Sequence, residues 1–193
     1  MDTAQIIVPY DDRWPAAFNE IARELRAALG DQALRIDHIG STSVPGLAAK
    51  DIIDIQVTVA ALDDATLTPA LAALGYTRHP GVATDHVPAG GAADPAQWRK
   101  RYFHAPPAQR PTHLHVRQAG RANQHYPLLF RDYLRATPAA VASYAAIKQA
   151  IGHLYAQDAD AYYAVKDPVC DLIIDAAQRW AASTGYTLGP TDR

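Results

Sequence analysis

The chain has 193 residues, of which 49% are hydrophobic and 20% are charged, with a formal net charge of -2. This size supports one globular domain with a sizeable core, with or without a helical annex, and argues against two independent domains. The small net charge gives no overall field to gather nucleic acid, and the single cysteine, Cys170, excludes an internal disulfide and a thiolate metal cage.

The first half of the chain is predicted to alternate helices with strands. A helix that Asp12 caps, with Pro15 in its first turn, repeats apolar residues along one face and ends at Gly30. Two strands follow, over residues 33–40 and 52–59, and a helix over 63–74 comes after them. Residues 80–96 are rich in proline and glycine and show no periodicity, which predicts a long mobile loop.

The second half begins with two predicted strands, in "QWRKRYFHA" and "THLHVRQ", and is helical from residue 123 onward. Near the end, Pro168 either starts a new helix capped by Asp167 or lies inside one kinked helix. The sum is an α+β fold with a mixed sheet of four to five strands, flanking helices and a C-terminal helical cap. We expect residues 1–122 to form the core and residues 123–193 the cap, packed together as a single structural unit.

The turn after the first strand is a candidate phosphate site. Gly40 lets an anion approach the main chain closely, and the small residues Ser41, Thr42 and Ser43 expose backbone N–H groups at the start of a helical turn.

Asp54 is a carboxylate inside an aliphatic strand. Strand alternation places Asp54, Gln56 and Thr58 on one face, opposite Ile53 and its alternating apolar neighbours. A charge in this position needs a partner, and Mg²⁺ bound to substrate phosphates is a natural one. The sequence therefore suggests that the serine turn holds a nucleoside triphosphate and that Asp54 holds its metal.

The segment "HIGSTSVPGLAAK", followed by "IIDI", resembles the signature of the GrpB family. That family is assigned to the polymerase-beta-type nucleotidyltransferase superfamily and is also found fused to dephospho-CoA kinases. "VPYDDRWPAAF", "FRDYLR" and "YYAVK" resemble other blocks of the family, so the likeness covers nearly all of residues 6–180. It implies a nucleotidyltransferase-like fold.

The superfamily pattern has a Gly-Ser turn, then two acids at alternate strand positions, and a third acid on a neighbouring strand. Gly40, Ser41 and Asp54 match this pattern, but Gln56 stands at the second acid position. A neutral amide is a poor substitute, because two-metal nucleotidyl transfer needs adjacent negative ligands. Asp51 has the opposite strand parity and reaches the same metal only if the strand starts late.

Histidines offer a different catalytic set. His113 and His115 are two residues apart on a predicted strand and, beside Asp54, would form a facial site suited to a transition metal. The alternative is structural: one ring bonds a loop carbonyl and the other faces solvent. His38 is expected to be a hydrogen-bonded strap for the glycine turn rather than a ligand.

Several basic residues are candidates for meeting a triphosphate. Lys50 directly precedes the strand of Asp54, and Arg131 lies in the helical cap. Lys148 and Lys166 each follow a tyrosine by four residues, so each pair shares a helix face and either lines a cleft or covers an ordinary surface.

These observations favour Mg²⁺-dependent transfer of a nucleotidyl group from a nucleoside triphosphate, with ATP the first candidate, to a small-molecule hydroxyl, amine or carboxylate. Asp54 and Lys50 are the expected catalytic residues. The alternatives are a non-catalytic module that binds a nucleotide or a coenzyme-A-related phosphate, and a His/Asp metal-dependent enzyme. Because the sequence shows neither a leader nor a run of about 18 apolar residues, we expect a cytoplasmic protein without membrane or nucleic-acid partners.

Overall fold

An open, mixed five-stranded sheet lies at the centre of the computed structural model, which describes residues 6–192. The strands are β1 (Arg35–Ile39), β2 (Ile53–Val59), β3 (Thr77–Arg78), β4 (Lys100–His104) and β5 (Thr112–Gln118). Their order is β1-β2-β5-β4-β3; β2 and β5 pair in parallel, and the other three pairs are antiparallel. The predicted α+β fold with a mixed sheet is confirmed.

Five α-helices flank this sheet. They are α1 (Trp14–Leu29), α2 (Leu67–Ala73), α3 (Ala122–Ala136), α4 (Pro138–Leu154) and α5 (Ala159–Thr184). Over the described residues, none of these helices has both the length and the apolar character that a bilayer crossing needs.

The aliphatic face of β2 forms the main core. Ile53, Ile55 and Val57 are fully buried against the apolar stripe of α1 and the buried leucines of α2. Burying each such side chain contributes about 1.5–3 kcal/mol to stability. The apolar face predicted from the strand alternation is therefore the face that packs into the core. The opposite face carries Gln56 and Thr58, and the Gln56 amide donates to the Gln124 carbonyl of α3 at 3.0 Å. Asp54 therefore lies at the end of this second face that α3 leaves open.

Two predicted helix starts are wrong. Asp12 does not cap α1; the Asp11 carboxylate accepts the Arg13 backbone N–H at 2.9 Å, and the helix begins at Trp14. The helix predicted over 63–74 is shorter because Asp64 accepts both the backbone N–H and the hydroxyl of Thr66, at 2.8 and 2.6 Å. This side-chain turn replaces the first helical turn, so α2 spans Leu67–Ala73.

Pro168 does not start a new helix. It lies inside α5, which runs without interruption over 26 residues, so the single-helix alternative is confirmed. A proline inside a helix removes one backbone hydrogen bond, here that of the Ala164 carbonyl.

The free edge of β1 is covered by residues 189–192. The Thr191 hydroxyl accepts the Ile36 N–H at 3.1 Å and donates to the Ile36 carbonyl at 2.9 Å. The Asp192 carboxylate accepts the His38 N–H at 2.9 Å. These contacts satisfy edge groups that would otherwise be open to another strand.

Candidate functional site

A tight turn connects β1 to the small-residue loop. Gly40 has φ 68° and a 3-10 turn follows over Ser41–Ser43, where the Ser43 hydroxyl donates to the Gly40 carbonyl at 2.6 Å. The Thr42 hydroxyl donates to the Ile52 carbonyl at 3.3 Å, so it accepts from His38 Nε2, 3.0 Å away. His38 is thus the strap predicted for this turn, and burial lowers its pKa to about 3.

Gly40 and Asp54 are in direct contact. Ile39 and Asp54 are partners in the antiparallel β1–β2 pair, so the turn begins beside the carboxylate. A Cβ atom on Gly40 would lie 2.3 Å from Asp54 Oδ2, closer than any real contact allows. The absence of a side chain at this position is what lets the turn and the acid share one site.

The imidazole rings of β5 surround the other oxygen of Asp54. His113 Nδ1 lies 3.2 Å and His115 Nε2 lies 3.7 Å from Asp54 Oδ1. Burial works to raise the pKa of Asp54, but the hydrogen bond with His113 and the polar interaction with the nearby His115 ring outweigh it and hold the pKa well below its usual range. Asp54 is therefore an anion at neutral pH.

A cavity of about 600 Å³, which we call the main cavity, opens in front of this carboxylate. It lies between the serine turn, the ends of β2 and β5, strand β4, and helices α4 and α5. Its polar and aromatic lining comes from Ser41, Thr42, Lys50, Asp54, Asp85, Lys100, Tyr102, His113, His115, Lys148, Tyr162, Tyr163, Lys166 and Asp167. The structure thus brings most of the residues predicted for the site into one place.

Lys148 reaches this cavity from α4 and contacts the serine turn. Its ammonium donates to Ser41 Oγ at 2.6 Å and to the Ala48 carbonyl at 2.7 Å. The residue is 3% exposed, and burial, together with the charge of Lys166, lowers the pKa of Lys148 to about 7. An amino group that is partly protonated at neutral pH therefore lies against the predicted phosphate turn, and no carboxylate of residues 6–192 forms an ion pair with it.

Two further lysines line the same cavity. The Lys50 ammonium lies 4.9 Å from the centre of the Tyr162 ring and 3.3 Å from the Tyr163 hydroxyl. The Lys166 ammonium lies 3.5 Å from Asp167 and 5.5 Å from the centre of the Tyr163 ring. The predicted tyrosine–lysine pairs of the helical cap thus face the cleft rather than open solvent.

A family model described as GrpB protein matches residues 5–176. The chain belongs to the GrpB family. It is 33% identical over 172 residues to UPF0157 protein BH1888 of Halalkalibacterium halodurans, covering 89% of this chain and 81% of that protein. It also resembles the crystal structure of conserved protein GrpB from Enterococcus faecalis, with a TM-score of 0.70 and 29% identity, covering 91% of this chain and 99% of the other.

Other relatives are longer. A protein of Mycolicibacterium paratuberculosis named dephospho-CoA kinase is 41% identical over 194 residues, covering 93% of this GrpB chain but 47% of the relative. The chain spans about half the length of the curated relatives with that name.

Arg131, Ser43 and Asp51 were considered for the site from the sequence and do not line the main cavity of this GrpB-family chain. The Arg131 guanidinium donates to the His38 carbonyl at 3.0 Å and to Asp192 at 2.8 Å, which ties α3 to β1 and to the chain's last described residues. Ser43 shapes the turn through its own hydroxyl. Asp51 accepts the indole N–H of Trp14 at 2.7 Å and pairs with Arg110. Their observed partners are structural.

Sequence reasoning missed a buried ionic network behind Asp54. The Arg117 guanidinium donates to Gln56 Oε1 and to both oxygens of Asp85, each at 2.8 Å. Lys100 and Asn123 also donate to Asp85, at 2.6 and 2.9 Å. Gln56, at the second acid position, is therefore held by a cation, and that cation is neutralised by an acid from the long loop. Asp85 carried no sequence signal, since nothing in its neighbourhood is periodic.

The network determines which ring nitrogen of His115 carries the proton. Its Nδ1 faces Arg117 Nη2 at 3.3 Å and the Lys100 ammonium at 3.5 Å, so Nδ1 is an acceptor and the proton lies on Nε2, towards Asp54. Burial and the charge of Arg117 lower the pKa of His115 to about 4.

Ligand atoms of Asp54, His113 and His115 lie within 4.8 Å of one another, as a metal centre requires. A histidine that binds metal through Nε2 donates its other N–H to an acceptor, whereas His115 Nδ1 faces two donors. The surroundings of His115 thus oppose a transition-metal site.

Magnesium fits better, because Mg²⁺ is commonly held by one or two carboxylates together with substrate phosphates. Asp54 offers one ionised carboxylate at the mouth of a cavity lined by lysines. A second ion would need a carboxylate where Gln56 and Arg117 lie, so the donor set fits one Mg²⁺ rather than two.

Proposed function

We propose that this GrpB-family chain transfers a nucleotidyl group from a nucleoside triphosphate, with ATP the first candidate, to a small-molecule acceptor. One observation carries the proposal: the Gly40–Ser41 turn, Asp54 and the buried ammonium of Lys148 converge on a single cavity of about 600 Å³. This volume falls within the usual range for small-molecule sites, about 300–1,000 Å³.

The roles follow from position. The serine turn and Lys148 hold the triphosphate, Lys50 and Lys166 offset its remaining charge, and Asp54 is the residue that would hold Mg²⁺. The ion supplies neutralisation of phosphate charge when it is bound. An acceptor atom forms a bond to the α-phosphorus while the bond from that phosphorus to the oxygen bridging to the β-phosphate breaks. Pyrophosphate leaves with the electron pair, and any acceptor proton passes to solvent.

Replacement of Asp54 by Asn tests this proposal. We expect Asp54→Asn to abolish Mg²⁺-dependent release of pyrophosphate across a panel of acceptors, because the amide cannot hold the ion. Asp51→Asn is the matched control: Asp51 is an acid three residues earlier that does not line the cavity. Circular dichroism confirms folding of both variants. Undiminished release by Asp54→Asn, or equal loss in the two variants, would remove the assignment.

A second candidate function is a module that binds a nucleotide or a coenzyme-A-related phosphate without chemistry. The hydrogen bond from Arg117 to Gln56 favours this binding module, because it places a cation where a second metal ion would have to lie. Calorimetry with ATP and with dephospho-CoA separates the two functions. Binding that is indifferent to Mg²⁺ and accompanied by no pyrophosphate release would favour the module.

A further inference from the structure

A second, smaller cavity joins the main one beside the serine turn. It measures about 230 Å³, and we call it the side cavity. Ser41, Asp54, His115 and Lys166 line both spaces, so a molecule in the side cavity touches the same groups as a molecule in the main cavity. Any group that reaches this junction lies next to the proposed triphosphate.

The remaining walls of the side cavity are largely aromatic and apolar. The rings of Tyr126 and Phe130 stack with centres 6.1 Å apart, and Phe130 meets Tyr144 edge-on at 5.9 Å. Pro127 and Ile39 complete the apolar surface. For comparison, an apolar cavity of about 150 Å³ holds benzene. The side cavity therefore suits one ring or a short aliphatic chain and is too small for a whole nucleotide.

The junction itself favours an anion. Among the described residues lining the main cavity, four lysines face three aspartates. Lys100 and Arg117 hold Asp85, Lys166 lies 3.5 Å from Asp167, and Asp54 is the proposed ligand of Mg²⁺, so no acid of this lining is left without a cation. Lys166 lies where the two cavities meet. An amine would arrive as a cation and meet these lysines, while an alcohol has no charge for them to recognise.

The neutral groups beside Asp54 point to the same kind of acceptor. An alcohol or ammonium acceptor must lose a proton to a base, and a neutral amide or an imidazole nitrogen that already accepts hydrogen bonds is poorly placed to take it. Here Gln56 occupies the second acid position and His115 Nδ1 already accepts from cations. A carboxylic acid, with an ordinary pKa of about 4, is already deprotonated at neutral pH and needs no base.

We infer that the side cavity binds the acceptor and that the acceptor is a carboxylic acid with a small apolar or aromatic body. This inference rests on the proposed nucleotidyl transfer. A carboxylate oxygen forms the bond to the α-phosphorus as the bond to the bridging oxygen breaks, and pyrophosphate leaves with the electron pair. The product is a mixed acyl–nucleotide anhydride, and no proton is transferred from the acceptor.

Binding measurements on the intact chain test the inference separately from catalysis. Calorimetry in the presence of Mg²⁺ and α,β-methylene-ATP compares phenylacetate with 2-phenylethanol and 2-phenylethylamine, which share its ring but not its charge. We expect phenylacetate to bind at least tenfold more tightly than either. Alcohol or amine binding as tight as the acid would overturn the inference.

A second experiment fills the side cavity with a larger side chain. Cys170 lines it from α5, and Cys170→Phe is expected to weaken phenylacetate at least tenfold while changing the affinity for the ATP analogue less than twofold. Leu172→Phe, on the same helix but 71% exposed, is the matched control and should change neither. If Cys170→Phe does not fold, Cys170→Met narrows the cavity with a flexible side chain and is expected to act in the same direction.

The outcomes separate the two proposals. If Cys170→Phe weakens the ATP analogue and spares phenylacetate, the side cavity holds the nucleobase and the acceptor assignment is wrong. If the analogue fails to bind while phenylacetate binds in a Cys170-dependent manner, the nucleotidyl-transfer proposal fails, and the acid site itself is supported.

Discussion

Gly40 makes the candidate site possible because two constraints meet at one residue. Its backbone is in the left-handed region at φ 68°, and a Cβ would collide with Asp54 Oδ2. Gly46 shares only the first constraint: its φ is 80°, and nothing lies within 4 Å of where a Cβ would stand. Comparing substitutions at the two glycines therefore separates the cost of backbone strain from the cost of the close contact with Asp54.

We predict that Gly46→Ala lowers the free energy of unfolding by about 1 kcal/mol, the usual cost of this backbone conformation for alanine. Gly40→Ala should cost about 2 kcal/mol more, because Asp54 must move away from the added methyl group. Urea denaturation measures both values. Nucleotide affinity should fall in Gly40→Ala and stay unchanged in Gly46→Ala; equal unfolding costs would contradict the contact.

Lys148 should make nucleotide binding depend on pH. Its pKa is about 7 because of burial and the charge of Lys166, so its ammonium is lost as pH rises from 7.0 to 8.5. If the charged form binds phosphate, affinity for ATP should fall about tenfold across that interval. Calorimetry at several pH values gives the profile.

Two variants of Lys148 test whether this residue causes the pH dependence of ATP affinity. Lys148→Arg keeps a cation throughout and should give a flat profile, since arginine stays protonated. Lys148→Met should bind ATP at least about tenfold more weakly at pH 7, also without the pH dependence. A steep profile in either variant would assign the effect to another group.

At the scale of elements, local patterns predicted the turn and the acid, and distant partners were missed. The Gly-Ser turn, Asp54 and the tyrosine–lysine spacing are each readable within one segment. The Arg117 network is different: its members come from a loop, three strands and a helix, and pairing across such distances leaves no periodic signal. The partners of Arg131 were missed for the same reason, because they lie on β1 and beyond α5.

Two side-chain contacts of the long loop after β3 lie in very different environments. Asp85 is mostly buried and neutralises Arg117 and Lys100, whereas His86 and Asp171 meet at 3.0 Å in a more exposed position. Removal of one partner of a buried ion pair leaves an uncompensated charge, whereas an exposed pair contributes little.

We predict that Asp85→Asn destabilises the chain by about 3–5 kcal/mol, because Arg117 then remains buried without its counterion. Asp171→Asn cuts the exposed contact of the same loop and should cost at most about 1 kcal/mol. Guanidinium denaturation compares the two variants. Similar costs would show that the buried network does not hold the loop.

For the whole molecule, the cleft exists only where the helical cap meets the sheet. The bond from Lys148 to Ser41 joins residues 107 positions apart, and that from Lys50 to Tyr163 joins residues 113 apart. The site is therefore sensitive to global unfolding, and two neutral histidines, the buried His38 and the largely buried His115, couple that unfolding to pH. Burial lowers their pKa values to about 3 and about 4, respectively, from an ordinary value of 6.5.

Acid should therefore unfold the protein before its carboxylates titrate. Below pH 6.5 the unfolded chain takes up protons at His38 and His115 that the folded chain does not, so the free energy of unfolding falls by about 1.4 kcal/mol per pH unit for each histidine. Between pH 6.0 and 4.5 the two together remove about 3–4 kcal/mol, while above pH 6.5 their contribution is constant. Urea denaturation across this range should show that slope. His38→Asn should reduce this slope by about half, whatever its effect on absolute stability. Replacement of the exposed His153 by Gln is the control and should leave the slope unchanged. A slope that is the same in His38→Asn as in the unmodified chain would place the acid sensitivity elsewhere.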